Sequence, residues 1–466
     1  MRKFDDELVS GNIVWSVWKL AWPVTLLNLV NGLHGMVDHI LVGHYIASES
    51  NAANAAIGVA WQVFLVIVVF IASLFHGMNV LISRYAGRQD RENMSRVAYE
   101  AFLASVYILV FIVAPAGYFL APHLLDLVEA PPEVQVHALP YLRVLFVCGA
   151  PLFLSFMFTG AFQATGDAKT PLVLGVLATF LNVGISAVLI TGAGPFPALG
   201  AVGAALGTVL APLFTVSISI ALVLRRKMLI LPPEKYRLMP DFATMKVVAR
   251  IGIPTGIQGV LLNIGGTLVM RFLGAMEPGI AAPALAAYTI CYAQLFSLIT
   301  WTSFGLRAAA GTLMGQNIGA GKHERGKSAV RVAATFGGAW AVLIGAIFWY
   351  FPAELLAIFG ASQGPIVAIG VSLLQYLTFS GVVIAVALAL TGGLQGAGET
   401  KLPMYIAFLT QIVVLLGICW WYQWHQALTP ERVWMAILIS HASRLILTWL
   451  VFRTEKWAHT VVELDD

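Results

Sequence analysis

Apolar runs of about twenty residues follow one another along nearly the whole chain, and no other feature restricts its fold so strongly. Twelve can be marked: 17–42, 56–82, 97–120, 140–163, 171–191, 199–224, 249–274, 284–310, 330–351, 368–393, 403–422 and 433–452. Each can cross the roughly 30 Å hydrocarbon core of a bilayer as an α-helix. The runs are continuous rather than alternating, which disfavours barrel strands, and only helices and closed barrels satisfy their backbone in lipid. Composition agrees, with 11% charged residues and a mean hydropathy of +0.84, where soluble domains carry about a quarter charged residues. The expected fold is an all-α integral membrane protein with twelve transmembrane helices. The net charge of +4 is small and gathers in loops, which points to membrane orientation and away from nucleic acid. The N-terminal "MRKFDDELVSGNIVWSVWKL" has no compact apolar core followed by a small-residue cleavage site, so no cleaved signal is expected. Cys148, Cys291 and Cys419 are scattered through apolar spans and read as small core residues.

The chain says nearly the same thing twice. "TGAFQATGDAKTPL" from Thr159 and "TGGLQGAGETKLPM" from Thr391 share Gly160/Gly392, Gln163/Gln395, Gly166/Gly398, Lys169/Lys401 and Pro171/Pro403, with Asp167 and Glu399 matched in charge. "LAWPV" pairs with "IGIPT", and "RYAGRQDRE" with "QNIGAGKHE", at nearly the same offset. Such internal repeats define the architecture. Between the sixth and seventh runs lies "RRKMLILPPEKYRLMPDFATMKVVAR", with seven basic residues and two adjacent prolines. The expected organisation is a six-helix lobe over 1–224, a linker over 225–248 and a second six-helix lobe over 249–466. Basic residues fall mainly in loops on one side, so both termini and the linker are expected on the cytoplasmic face of an inner membrane. An even number of spans per half makes the lobes parallel repeats.

The blocks "WPVTLLNLVNGLHGMVDHILVGHY", "GMNVLISRYAGRQDRE", "YLRVLFVCGAPLF", "FQATGDAKTPL" and "GAVGAALGTVLAP" resemble those of multidrug and toxic compound extrusion (MATE) transporters. The second half repeats them as "IGIPTGIQG", "MGQNIGAGKHERG" and "LQGAGETKLP". The resemblance implies two lobes around a central cavity and export of amphipathic or cationic drugs in exchange for protons or sodium ions. It implies small-molecule and membrane-lipid partners, with no other cofactor and no catalysis. A monomer is the expected functional form. The alternative function is a flippase for lipid-linked oligosaccharides of the same superfamily. An integral-membrane enzyme lacks any supporting motif.

Ion-driven export needs an ionisable group inside the membrane, and such groups are costly in lipid and functional by default. Asp38 is the one acid well inside a span; Glu100 and Glu277 lie nearer span ends. The family pattern also places an acid in the first helix, and Asp38 matches it. A purely structural role, paired with Arg143, is the competing reading. His34 precedes Asp38 by four residues and shares its helix face. His34, His39 and His44 cannot converge on a metal, because steps of five turn about 140° around a helix.

In one branch of the family an Asn-x-x-x-Asp pair on the fifth helix joins the ion site. Here Asn182 matches and Ser186 stands where the second acid would be, while Thr208 matches a hydroxyl position of the sixth helix. Another branch carries acids in helices 7 and 10; the corresponding stretches here have none, and Asn263 is the nearest polar residue. Ion coupling is therefore expected in the first lobe, with protons favoured, since sodium wants several oxygen ligands. Tyr141, Arg143, Asn263 and Arg444 are further candidates for helper or cavity-lining roles. Arg444 reads either as a packed or snorkelling cation or as a contact for an anionic or zwitterionic substrate. Gly203/Gly207, Gly252/Gly256 and Gly311/Gly315 are spacings that permit close helix crossing. "GKHERGKS" fits the phosphate-loop pattern literally, but a membrane helix precedes it where a strand is required.

Overall fold

The computed structural model describes the backbone of residues 3–45, 50–128, 131–233 and 238–460, with side chains for these except 31–45, 50–55, 73–74 and 459. Among the described residues there are helices, turns and bends, and no strand. The long helices are α1 Ile13–Tyr45, α2 Ser50–Gly87, α3 Arg91–Leu127, α4 Pro132–Ala164, α5 Lys169–Thr191, α6 Ala201–Leu224, α7 Phe242–Gly274, α8 Pro278–Gly319, α9 His323–Tyr350, α10 Pro365–Gly396, α11 Lys401–Trp424 and α12 Pro430–Arg453. They follow the twelve expected apolar runs in order. Eleven are long and apolar enough to span a membrane, and α4 makes twelve when its two pieces, bent by 52°, are read as one span. The bend falls at Gly149, just before Pro151, whose ring and missing N–H break the helical ladder.

Three helices contain a π-helical stretch: Leu109–Val113 in α3, Thr289–Leu295 in α8 and Phe408–Leu416 in α11. Hydropathy alone does not foretell these.

The chain forms two compact units. The first is built on Leu26–Gly256, the second on Asp6–Thr25 with Ile257–Val462. The changeovers lie inside α1 and α7, each two residues after a helix-internal proline, Pro23 and Pro254. In the first unit Phe64 packs edge-on to Phe146 at 5.4 Å and against Phe153 at 5.6 Å. In the second, Tyr288 stacks on Tyr292 at 4.9 Å and on buried Trp434 at 6.1 Å. Many large side chains remain exposed, among them Phe111, Phe119, Phe180 and Trp420. A membrane resolves what would otherwise be an aggregating surface. Cys291 and Cys419 are buried as expected; Cys148 is exposed.

The repeated stretches are matched corners. Gly166 has φ 93° and Gly398 φ 88°, the left-handed region that only glycine enters freely. Gly166 N–H donates to the Gln163 carbonyl at 2.9 Å and Asp167 N–H to that of Phe162 at 3.0 Å; Gly398 to Gln395 and Glu399 to Leu394 repeat this at 2.9 Å each. This paired pattern closes the helix C-terminus. The acid then caps the next helix. Asp167 accepts from the Thr170 backbone N–H at 3.1 Å and hydroxyl at 2.6 Å, and Glu399 accepts from the N–H groups of Lys401 and Leu402 at 3.0 Å. Pro171 and Pro403 stand within the first turn, where no backbone donor is required.

Candidate functional site

In the first unit α5 and α6 touch closely. A Cβ on Gly207 would lie 2.0 Å from Ser186 Oγ, and one on Gly203 would lie 2.6 Å from the Leu189 backbone. The small-residue spacing thus brings three sequence-derived candidates into one seam. Asn182 Nδ2 donates to Thr208 Oγ1 at a long 3.5 Å, and Thr208 Oγ1 donates to the Ala204 carbonyl at 3.1 Å. Asn182, Ser186 and Thr208 are all buried. Asn182 Oδ1 and Ser186 Oγ have no hydrogen-bond partner among the described residues. A buried polar atom left so costs about 1–3 kcal/mol. Two buried oxygens without donors are suited to a cation or a proton-bearing group.

The backbone at Asp38 and His34 is helical, within α1, but both side chains lie outside the described residues, as do those of His39 and His44. The other candidates are dispersed. Arg143 lies over the Tyr118 ring at 4.4 Å, a cation–π contact between α4 and α3. Tyr141 is buried on α4. Asn263 is exposed and donates to the carbonyl of Gly259 in its own helix at 2.9 Å. Glu100, though buried, binds the polar segment before α7: it accepts from the Asp241 N–H at 2.6 Å. Asp241 in turn takes a hydrogen bond from Thr244 at 2.8 Å and from the Ala243 N–H, and meets Arg96 at 3.0 Å. Thr244 foremost, and then the Ala243 N–H and Arg96, hold its carboxyl below the ordinary value.

The second unit carries cations within its spans, Arg444 buried and Arg307 half-buried. Arg444 on α12 is 3% exposed, so it does not snorkel. His441, one turn earlier, shares a 2.5 Å hydrogen bond with Ser380 on α10 and stacks on Phe296. Arg307 on α8 donates through Nε (3.1 Å) and Nη2 (2.7 Å) to Gln395 Oε1, and Gln395 Nε2 donates to Gln258 Oε1 at 2.8 Å. Sequence reading passed over Arg307, Gln258 and Gln395 as functional residues. The signal was present: Arg307 lies well inside an apolar run, and Gln395 belongs to the repeated stretch. The phosphate-loop lookalike is a helix junction. Gly321 (φ 73°) ends one helix, and Lys327 Nζ lies 2.6 Å from both Glu324 and Glu455.

A helical chain with two copies of one set of six apolar segments, each half burying polar groups within its spans, has the makings of a repeat-built membrane transporter. The MatE family profile matches residues 23–188 and again 254–421, so the chain belongs to the MatE (MATE transporter) family, with one copy in each half. It is 26% identical over 448 residues to "Probable multidrug resistance protein NorM" of Thermotoga maritima, covering 95% of this chain and 93% of that one. It is 24% identical to "Probable multidrug resistance protein YoeA" of Bacillus subtilis, covering 93% of each. Among solved structures, the outward-facing conformation of a multidrug resistance MATE transporter superimposes with a TM-score of 0.88. That comparison covers 99% of this chain and all of the other (100%), at 21% identity.

Proposed function

We propose that the chain is a multi-pass inner-membrane efflux transporter that exports amphipathic or cationic drugs in exchange for protons, with sodium the less favoured ion. It works as a monomer with both termini cytoplasmic, and its functional halves are 1–224 and 249–466 joined by 225–248. The double MatE match supports the transporter reading. The observation that carries the coupling site is the pair of buried, partnerless oxygens on Asn182 and Ser186. Asp38 supplies the ionisable group. A carboxyl in a partly dehydrated place has its pKa raised, because burial disfavours charge. A cationic drug favours the ionised form, so drug entry and proton release are linked, and protonation reciprocally weakens drug binding.

Purified protein in liposomes, given a drug panel with separately imposed proton and sodium gradients, tests this. Asp38→Asn keeps shape but cannot ionise; it is expected to insert normally and lose gradient-driven efflux, while Glu100→Gln keeps most of it. Uphill transport by Asp38→Asn at near the parental rate defeats the assignment. Efflux driven by sodium at equal pH on both sides defeats proton coupling.

A further inference from the structure

The second unit holds two arginines, Arg307 and Arg444, well away from the ends of its apolar helices, with no carboxylate bonded to either among the described residues. Its acids from Glu277 to Glu455 all stand in the first turn of a helix or between helices: Glu277 precedes α8, Glu324 opens α9, Glu399 caps α11 and Glu431 opens α12. Arg307 has only the neutral Gln395 carbonyl oxygen as acceptor. Arg444 makes no hydrogen bond or ion pair among the described residues, and its Nη2 is buried without a partner. The two guanidinium groups are near enough for their charges to act on each other. A third donor is idle nearby in the same network. Arg307 fixes Gln395 with its oxygen inward, so Gln395 offers its amide to Gln258 Oε1, and Gln258 Nε2 is left buried without an acceptor.

Buried charge without a counter-charge is among the most expensive arrangements in a protein. Like charges brought together increase the cost. Snorkelling does not relieve it at Arg444, which is enclosed by the bundle. In the α5–α6 seam the idle atoms are oxygens, on Asn182 and Ser186; around Arg307 they are the donors Gln258 Nε2 and Arg444 Nη2. We propose that the seam of Arg307, Arg444 and Gln258 is a binding site for an oxyanion, the carboxylate or phosphate of an amphipathic molecule. Guanidinium forks match such groups with two parallel N–H···O bonds. The transported class then includes zwitterionic and acidic amphiphiles as well as cations. This meaning rests on the transporter reading, whereas the site itself is tested without transport.

Full-length protein in dodecyl maltoside is titrated with two matched fluorescent pairs, read by anisotropy. One pair is rhodamine B, with a free carboxylate, and its ethyl ester. The other is a short-chain fluorescent phosphatidic acid and the corresponding diacylglycerol. The expected result is about tenfold tighter binding of the acid in at least one pair. That preference disappears in Arg444→Gln and in Arg307→Gln and returns in part in Arg444→Lys, while binding of the ester or diacylglycerol, which lacks the acid group, stays within about twofold. The pair that shows it tells whether a carboxylate or a lipid phosphate is the source. Unchanged binding of the member without the acid group reports that each variant is folded, and ligand-free Arg444→Gln is expected to melt at a higher temperature than the parent because repulsion is relieved. No acid preference in either pair, or equal loss for both members, overturns the site. Failure of liposome efflux with this binding pattern intact would count against the transporter reading and leave the site standing.

Discussion

Ser186 is a small residue whose hydroxyl does nothing for the fold. Its Oγ is fully buried and unpartnered, so Ser186→Ala is expected to leave the melting temperature unchanged or raise it, by up to about 1 kcal/mol of stability. The same change is expected to slow gradient-driven efflux several-fold in liposomes. A drop in melting temperature with normal efflux would make Ser186 a structural residue. Asp241 behaves oppositely, as a fully engaged carboxylate. Its pKa is depressed from 3.8, Thr244 contributing most. A depressed carboxylate contributes stability above its unfolded value and loses it as pH falls through the folded value. Hydrogen-exchange protection of the segment around Asp241 is therefore expected to stay flat from pH 7 to about 4 and to fall below that, and Asp241→Asn is expected to lack this step. Asn182, Ser186 and Thr208 were legible in the sequence only through the family resemblance; the close approach of α5 and α6 at Gly203 and Gly207 is what the structure adds. Arg307 and Gln258 do not stand out in the sequence, because ion coupling points first to acids, and Gln395, in a repeated stretch, reads as turn chemistry. Nothing local in the sequence says that Gln395 reaches across to both.

At the scale of an element, the repeated corners explain why one stretch occurs twice: each ends a helix, reverses the chain and caps the next. Replacing Gly398 by Ala forces a side chain into the left-handed region seen at φ 88° and is expected to cost about 1–2 kcal/mol. Glu399→Ala removes the cap on Lys401 and Leu402 and is expected to cost about 1 kcal/mol. Thermal melts in detergent measure both, and the equivalent changes at Gly166 and Asp167 should match them in sign. The third corner departs from symmetry: Gln89 sits at φ 58° where its counterpart is Gly321, so Gln89→Gly is tolerated without loss. The order of the twelve spans and these corners could be read from hydropathy and turn residues, since both are local signals. The bend of α4 and the three π-helical stretches could not, because they express packing against neighbours that hydropathy does not record.

Across the whole molecule, the basic-loop pattern predicts that both repeated corners face the same compartment. Lys169 and Lys401 are exposed, as is His425 in the turn after α11. With Cys148, Cys291 and Cys419 replaced, single cysteines at Lys169 and Lys401 are expected to react with a membrane-impermeant maleimide only from the cytoplasmic side, and one at His425 only from outside. Opposite labelling of the two lysine positions would defeat the parallel arrangement. The three π-helical stretches, finally, mark where the two copies differ, each lying in one helix of a pair: α3 and not α9, α8 and not α2, α11 and not α5. The offset between copies is 231 at Pro23 and Pro254, and 232 at Gln89 and Gly321; of the paired helices α2 and α8, only α8 carries such a stretch. It is still 232 at Pro171 and Pro403, near the start of α5 and α11; of these two helices, only α11 carries such a stretch. A single residue added within a membrane helix can be taken up there as one wider turn. Deleting one residue between Phe408 and Leu416 should therefore restore a plain helix and leave the residues beyond it facing as they do now, whereas the same deletion in the plain helix α5 should turn everything beyond it by about 100°.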